Sequence, residues 1–242
     1  MSADIARAEF VALDGERRGY LALPHTAGPH PAVLVFQEAF GVNRYVQGEC
    51  ERLARAGFAA LAPDLFRGET YGYADRPKVV EHLKSLTDEY LLGDVRSAIA
   101  YLDTSNEVRH EAYGAVGFCM GGRLAVLTAI ELRERIGAAV AFYGGNIAPQ
   151  ISRFGWPILL DRVPEIEAAV LLLYGADDDT IAPDEHARLA QALSASKKRY
   201  TLSVFPGAGH AFASIDRETY RPAVAEAAWR AALAFFRATL HP

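Results

Sequence analysis

The sequence predicts an α/β fold: one mostly parallel, twisted sheet with helices on both faces and an antiparallel hairpin at its N-terminal edge. From residue 32 onward, short apolar runs alternate with stretches of helical period, the pattern of strand–helix–strand units. Runs such as Ala32–Gln37 and Ala168–Tyr174 are apolar throughout, as strands covered on both faces must be. Ahead of them, Ala8–Leu13 and Arg17–Leu23 flank Asp14-Gly15, a hairpin signal that adds two antiparallel strands at one edge.

The remaining elements follow in order. His25–Pro31 is a loop, and its histidines, His25 and His30, are expected to be solvent-exposed. Ala32–Gln37 is a strand, Arg44–Ala56 an amphipathic helix ended by Gly57, and Phe58–Ala62 the next strand, closed by Pro63-Asp64. Residues 66–77 are rich in Gly, Tyr and Arg and lack period, so they read as a loop over one sheet edge. Helices are expected at about 76–86 and 88–103, then a strand at Ala112–Val116. Arg123–Ile130 has helix formers at helical spacing, and Gly137–Tyr143 is another buried strand. Residues 144–165 are irregular, and so long a connection often caps a site. Trp156 within it is read first as core cover and second as a ligand contact. Strand Ala168–Tyr174, loop 175–183, helix 184–195, strand Tyr200–Phe205, a glycine turn to His210 and a helix at 219–239 complete the chain. No repeat or linker divides it, so 1–242 is read as one domain, with 144–165 a lid-like insertion.

At 242 residues, 51% hydrophobic and 23% charged, the chain is long and apolar enough for a substantial core. A formal net charge of −5 gives no reason to expect nucleic acid or a membrane as partner. Two cysteines and seven histidines, with no C-x-x-C or H-x-x-x-H, offer no metal-site spacing. Met1–Arg7 lacks the basic start and apolar centre of a signal peptide, and no apolar run reaches membrane-spanning length. A free thiol at a working position suits a reducing compartment, so a cytoplasmic location is expected.

The chain is organised around Gly117-Phe118-Cys119-Met120-Gly121-Gly122. With a strand before it and a helix after it, G-x-C-x-G is a nucleophile elbow, carrying sulfur where serine is commoner. Glycines at 117 and 121 suit a strained turn in which side chains would collide with the neighbouring strand and helix. Such a corner holds Sγ at a helix N-terminus, whose partial positive charge favours thiolate over thiol. The competing reading is a cysteine buried for packing alone. Cys50, inside the 44–56 helix, is read that way.

Functional groups on a doubly wound sheet gather beyond the carboxyl ends of its strands. Four loops there carry chemistry: Glu38, Cys119, the Asp177-Asp178-Asp179 run and His210. Nucleophile, acid, histidine is one chain order for a triad on such a sheet. A histidine base activates the thiol, and an acid on its far nitrogen holds the tautomer. Only His210 follows an expected strand through a glycine turn; His82 and His186 fall on helices, His110 precedes a strand and His241 is in the tail. Those four read as structural or solvated. The aspartate run also reads as a solvated turn capping the next helix, and only one member need point inward.

These segments together resemble the dienelactone hydrolase family, the cysteine branch of the α/β-hydrolases. The resemblance runs from about residue 32 to 236 and rests on Gln37-Glu38-Ala39-Phe40-Gly41-Val42-Asn43, Ala62-Pro63-Asp64-Leu65-Phe66, the Cys119 hexapeptide and Gly207-Ala208-Gly209-His210-Ala211-Phe212. It implies an α/β-hydrolase fold and cleavage of a small lactone or carboxylic ester by thiolate attack, with a small-molecule substrate as partner and no cofactor or metal needed. The family's spacing, taken from Gly175 and to Ile181, selects Asp178; Ala182-Pro183 departs from the family's immediate proline, which keeps Asp177 and Asp179 in play. The resemblance gives Glu38 contact with the resting thiol, and a buried carboxylate there would have a raised pKa and could accept the thiol proton. The other reading of Glu38 is a loop residue paired with an arginine such as Arg76. The amides of Met120 and Ala39 would form the oxyanion hole. In the family two arginines grip a substrate carboxylate. One resembles Arg76, but the other position holds Ser214, which weakens recognition of a small anion unless Arg153, Arg162 or Arg217 compensates. Together with 144–165 this implies an ester or lactone of different shape. The alternative is a non-catalytic, small-molecule-binding or sensing member of the same fold.

Overall fold

The computed structural model describes residues 5–240; Met1–Asp4, which open the segment read for a signal peptide, and His241 lie outside them. Eight strands form one sheet in the order β1-β2-β4-β3-β5-β6-β7-β8. β1 (Ile5–Ala12) and β2 (Arg18–Pro24) pair antiparallel at one edge, joined through the Asp14-Gly15 turn. β2 is also antiparallel to β4 (Ala59–Pro63). Every later pairing, through β3 (Ala32–Phe36), β5 (Tyr113–Phe118), β6 (Ile136–Phe142), β7 (Ala169–Gly175) and β8 (Tyr200–Phe205), is parallel.

The helices are α1 (Arg44–Arg55), α2 (Arg76–Ser85), α3 (Asp88–Asp103), α4 (Met120–Glu131), α5 (Pro183–Ala195) and α6 (Pro222–Leu240). α1 lies over β2, β3 and β4 and α6 over β5, β6 and β7, while α3 and α4 cover the opposite face. Arg52 of α1 reaches Glu226 and the Trp229 ring of α6, which places those two helices side by side. Sandwiched this way, β3, β4, β5 and β7 are buried at every residue, the reason their sequences run apolar without alternation. Side-chain caps start two helices: Asn43 accepts from the Val46 N–H at 3.2 Å and Thr87 from the Tyr90 N–H at 3.2 Å.

Three local expectations change. α4 begins at Met120, directly after Cys119, rather than at Arg123. α6 begins at Pro222, because residues 219–221 complete a chain of turns. His30 is buried, not solvent-exposed: its backbone N–H donates to Glu107 O at 2.8 Å, its carbonyl accepts from Arg109, and its Nε2 lies 3.0 Å from Thr26 O. The loop has folded onto residues 105–109, and the ring goes in with it. Cys50 is fully buried as expected, and His186 stacks on Tyr174 at 3.9 Å between centroids.

The connection over 144–165 is stapled by a buried side chain. Arg123 of α4, 1% exposed, holds both carboxylate oxygens of Asp88 at 2.6 and 3.0 Å, and donates to Pro157 O at 2.7 Å and Asn146 O at 3.3 Å. Its guanidinium also lies over the Trp156 ring, whose Nε1 donates to Leu86 O at 3.0 Å. A buried arginine needs this many partners, because an unpaired charge in that setting is costly.

Burial of Glu49 in α1 gives a testable pH effect. Desolvation pushes its carboxyl up to about 7 against the pull of the Arg52 guanidinium. The native state therefore keeps this proton over a range where the unfolded chain has lost it, so the native state loses stability as pH rises from about 4.5 to 7 and the loss is complete above that. Relative to Glu49→Gln, wild type should lose roughly 3 kcal/mol between pH 4 and pH 8 in urea unfolding. A difference independent of pH would mean that the carboxyl titrates normally.

Candidate active site

Cys119 stands between the end of β5 and the start of α4 with φ 54° and ψ −115°. That left-handed backbone costs a non-glycine residue on the order of 1–3 kcal/mol and persists only where its surroundings enforce it. Here they do. A Cβ on Gly117 would sit 1.9 Å from Gly121 O, and one on Gly121 would sit 2.3 Å from Phe36 O. Strand and helix approach so closely that only hydrogen fits at either position.

The loops after β7 and β8 are tied together where the Asp177 N–H donates to Ala208 O at 2.9 Å. Asp178 is buried, with Oδ1 accepting from the Thr180 and Ile181 N–H groups at 2.8 and 2.9 Å. This local turn aims Oδ2 at His210 Nδ1, 2.9 Å away. Asp179 instead meets the Thr180 hydroxyl at the surface, so the structure singles out Asp178. Burial works against its ionised form, but His210 and the two amides outweigh it and hold the carboxyl below its ordinary range. Burial likewise opposes a charged His210; the nearby Cys119 sulfur and Asp178 outweigh it and raise the imidazole well above its usual value. With Nδ1 engaged by Asp178, Nε2 is the nitrogen left for sulfur.

Glu38 is buried at the end of β3, and burial pushes its carboxyl up, opposed by the charges of Arg217 and His210. Oε1 accepts from the Tyr143 hydroxyl at 3.4 Å, while Oε2 is enclosed without a partner. The pairing with Arg76 considered from sequence does not form; Arg217 is the cation that acts on this carboxyl. No hydrogen bond joins Glu38 to Cys119 among the described residues; Glu38, Cys119 and His210 line the same part of the cleft. Tyr143 is a site residue that the sequence did not reveal. Its ring lies edge-on to His210 at 5.3 Å and its hydroxyl is 3.3 Å from that of Tyr45. The only signal was a hydroxyl-bearing aromatic directly after the apolar β6.

The cleft has two lobes, and Cys119, His210, Arg153 and Thr180 line both. One carries three cations, Arg76, Arg153 and Arg217, which border it beside Ala39 and the carboxyl groups of Glu38 and Asp179. None of these three guanidinium groups forms a salt bridge among the described residues. Arg217 is steadied instead by Phe40 and Tyr73, whose ring centroids are 5.3 and 4.9 Å from its guanidinium carbon. Ser214 is fully buried with its hydroxyl 3.5 Å from that of Tyr73. Successive turns, Ser214 N–H to Ala211 O and Arg217 N–H to Ser214 O, both 3.0 Å, bring Arg217 to the cleft. Position 214 thus holds no cation, but Arg217, three residues later, borders the cleft. Arg162 takes no part; it pairs with Glu131 and Glu165. The other lobe is mostly apolar, formed by Leu83, Met120, Phe154, Trp156 and Ile181, with Asn146 and the buried Glu185 carboxyl also in its wall. Trp156 is both core cover and lobe wall. Ala39 and Met120, the two expected amide donors, border the cleft on its cationic and apolar sides.

A strained strand–cysteine–helix corner, an acid after β7 and a histidine after β8, on a mixed eight-stranded sheet, is the architecture of an α/β-hydrolase. The model of the dienelactone hydrolase family matches residues 17–240, and the chain belongs to that family of esterases and lactonases. A relative from Methylorubrum extorquens, named for carboxymethylenebutenolidase activity, is 33% identical over 227 residues, 93% of this chain and 77% of that protein. One from Bradyrhizobium sp, named as a 2-oxo-3-(5-oxofuran-2-ylidene)propanoate lactonase, is 34% identical over 94% of this chain and 92% of its own length. The crystal structure of a Klebsiella pneumoniae protein named for dienelactone hydrolase superposes with a TM-score of 0.87 at 31% identity, covering 95% of this chain and 98% of the other. Among the described residues no helix is long and apolar enough to cross a membrane.

Proposed function

We propose that the protein hydrolyses a small carboxylate-bearing ester or lactone through Cys119, His210 and Asp178. The observation that carries this reading is the Asp178–His210 bond at 2.9 Å, with that imidazole and the Cys119 thiol lining the same cleft. The Cys119 thiolate attacks the acyl carbon, and the carbonyl oxygen takes negative charge against the Met120 and Ala39 amides. The C–O bond breaks as His210 passes its proton to the leaving alkoxide. Water, deprotonated by His210, then attacks the thioester; the C–S bond breaks, and carboxylate and thiolate are released. Asp178 keeps the imidazole in the required tautomer. Glu38, with its raised pKa, is suited to take the thiol proton in the resting state. The Arg76, Arg153 and Arg217 side draws in a substrate carboxylate. This chemistry requires neither cofactor nor metal, and a reducing cytoplasm is the setting that keeps the thiol free.

Iodoacetamide titration tests the assignment. One equivalent should alkylate Cys119 and remove hydrolysis of an aryl acetate and of a lactone in proportion. Cys50, fully buried with its thiol pushed well above the usual value, should stay unmodified. Asp178→Asn should lower kcat/KM by roughly a hundredfold or more, and Asp177→Asn should not. Alkylation of Cys119 without loss of activity would sink the thiol mechanism, and the reverse ranking of the aspartate variants would move the acid.

A further inference from the structure

The geometry points to a substrate that is anionic on one arm and apolar on the other: an ester with a carboxylate on one side of the scissile carbonyl and an apolar group on the other. This deepens the hydrolase reading and rests on it. An ester carbonyl has two substituents, acyl and alkoxy, which leave the reacting carbon in different directions. The thiol and imidazole sit where two chemically different lobes meet. In one direction lie Arg76 and Arg217, cations without an ion-pair partner among the described residues, with Arg217 held between Phe40 and Tyr73. In the other lie Leu83, Phe154, Trp156 and Ile181. A small monocyclic lactone joins both substituents in one ring and would leave one lobe empty.

The apolar lobe is a built feature rather than a gap under a loose loop. Arg123 fixes the backbone at Asn146 and Pro157, the Asn146 carboxamide accepts the Arg153 N–H, and Phe154 leans on Trp156 at 5.4 Å between centroids. Arg153 stands at the boundary of the lobes, where a cation discourages an apolar group from slipping to the wrong side.

The test compares esters of matched leaving-group reactivity. Methyl hydrogen succinate and benzyl hydrogen succinate share the carboxylate and differ in the apolar arm; benzyl butyrate keeps the benzyl group and lacks the carboxylate. Acetyl glycolate and phenylacetyl glycolate repeat the comparison with the arms exchanged. We expect kcat/KM to rise at least about tenfold on adding the phenyl group in one of the two connectivities. In that connectivity, removing the carboxylate should cost at least about tenfold. Phe154→Ala should bring the phenyl preference toward one, and Arg217→Ala should do the same for the carboxylate preference. Each ratio is taken within one preparation, so partial misfolding of a variant lowers both terms alike. Flat phenyl ratios in both connectivities, or preferences that survive the two substitutions, overturn the proposal. If esters are cleaved in a Cys119-dependent way with flat ratios, the two-armed substrate is wrong and the triad stands. If cleavage is independent of Cys119, the hydrolase reading and this inference fail together.

Discussion

Cys119→Ala is expected to lower kcat/KM for any cleaved ester at least about a thousandfold, because the proposed acyl intermediate forms on the Cys119 sulfur. The fold should survive. Alanine is smaller than cysteine and meets the same backbone strain at φ 54°. The substitution has a second readout at His210. In wild type, burial of the ring is outweighed by the Cys119 sulfur and by Asp178. Without the sulfur only Asp178 opposes burial, so the His210 pKa should fall, which an NMR titration of the ring would follow. The linked stability has a definite sign. A raised native-state imidazole contributes stability in full below its unfolded value near 6.5, and that contribution fades as pH rises through the native value. Undiminished hydrolysis by Cys119→Ala would remove the thiol from the reaction.

Gly117→Ala is expected to destabilise the protein by roughly 4 kcal/mol or more and to abolish activity with it. The added methyl carbon would lie 1.9 Å from Gly121 O, 2.1 Å from Gly121 C and 2.8 Å from Gly122 N. All three are backbone atoms at the start of α4, so no flexible side chain can move aside. Relief requires shifting the helix from the strand, and that shift displaces Cys119 from His210. Gly48→Ala makes the contrast. Gly48 lies within α1, and a Cβ there meets nothing within 4 Å. It should be neutral or stabilising by about 0.5–1 kcal/mol, since alanine restricts the unfolded chain and favours helix. Urea unfolding of both variants, with iodoacetamide reactivity as the report on the corner, separates the outcomes. A Gly117→Ala protein as stable as wild type would show that the corner is looser than these distances imply.

The hairpin, the seven strands' worth of apolar runs and punctuation from Arg17 onward, and the strand–cysteine–helix corner were legible because each is written in adjacent residues. Period, glycine spacing and hairpin dipeptides act over a few positions and reach the structure nearly unchanged. His30 was misread for the opposite reason: its burial comes from residues 105–109, far along the chain. The arginines show the same limit at the site. The sequence offered Arg153, Arg162 and Arg217 as equals; two of them border the cleft and the third pairs with Glu131 and Glu165 elsewhere.

By itself the sequence determined the sheet, the order in which sulfur, carboxylate and imidazole are met, and the corner that lifts the sulfur, since all three follow from local periodicity and local sterics. Only the tertiary structure decided that Asp178 rather than its neighbours meets His210, that Arg217 borders the cleft while position 214 holds no cation, that Tyr143 holds Glu38, and that a cationic and an apolar lobe share one thiol. These depend on the phase of a turn and the path of a loop. A shift of one residue reverses which side chain faces inward, and that phase is set by partners distant in sequence.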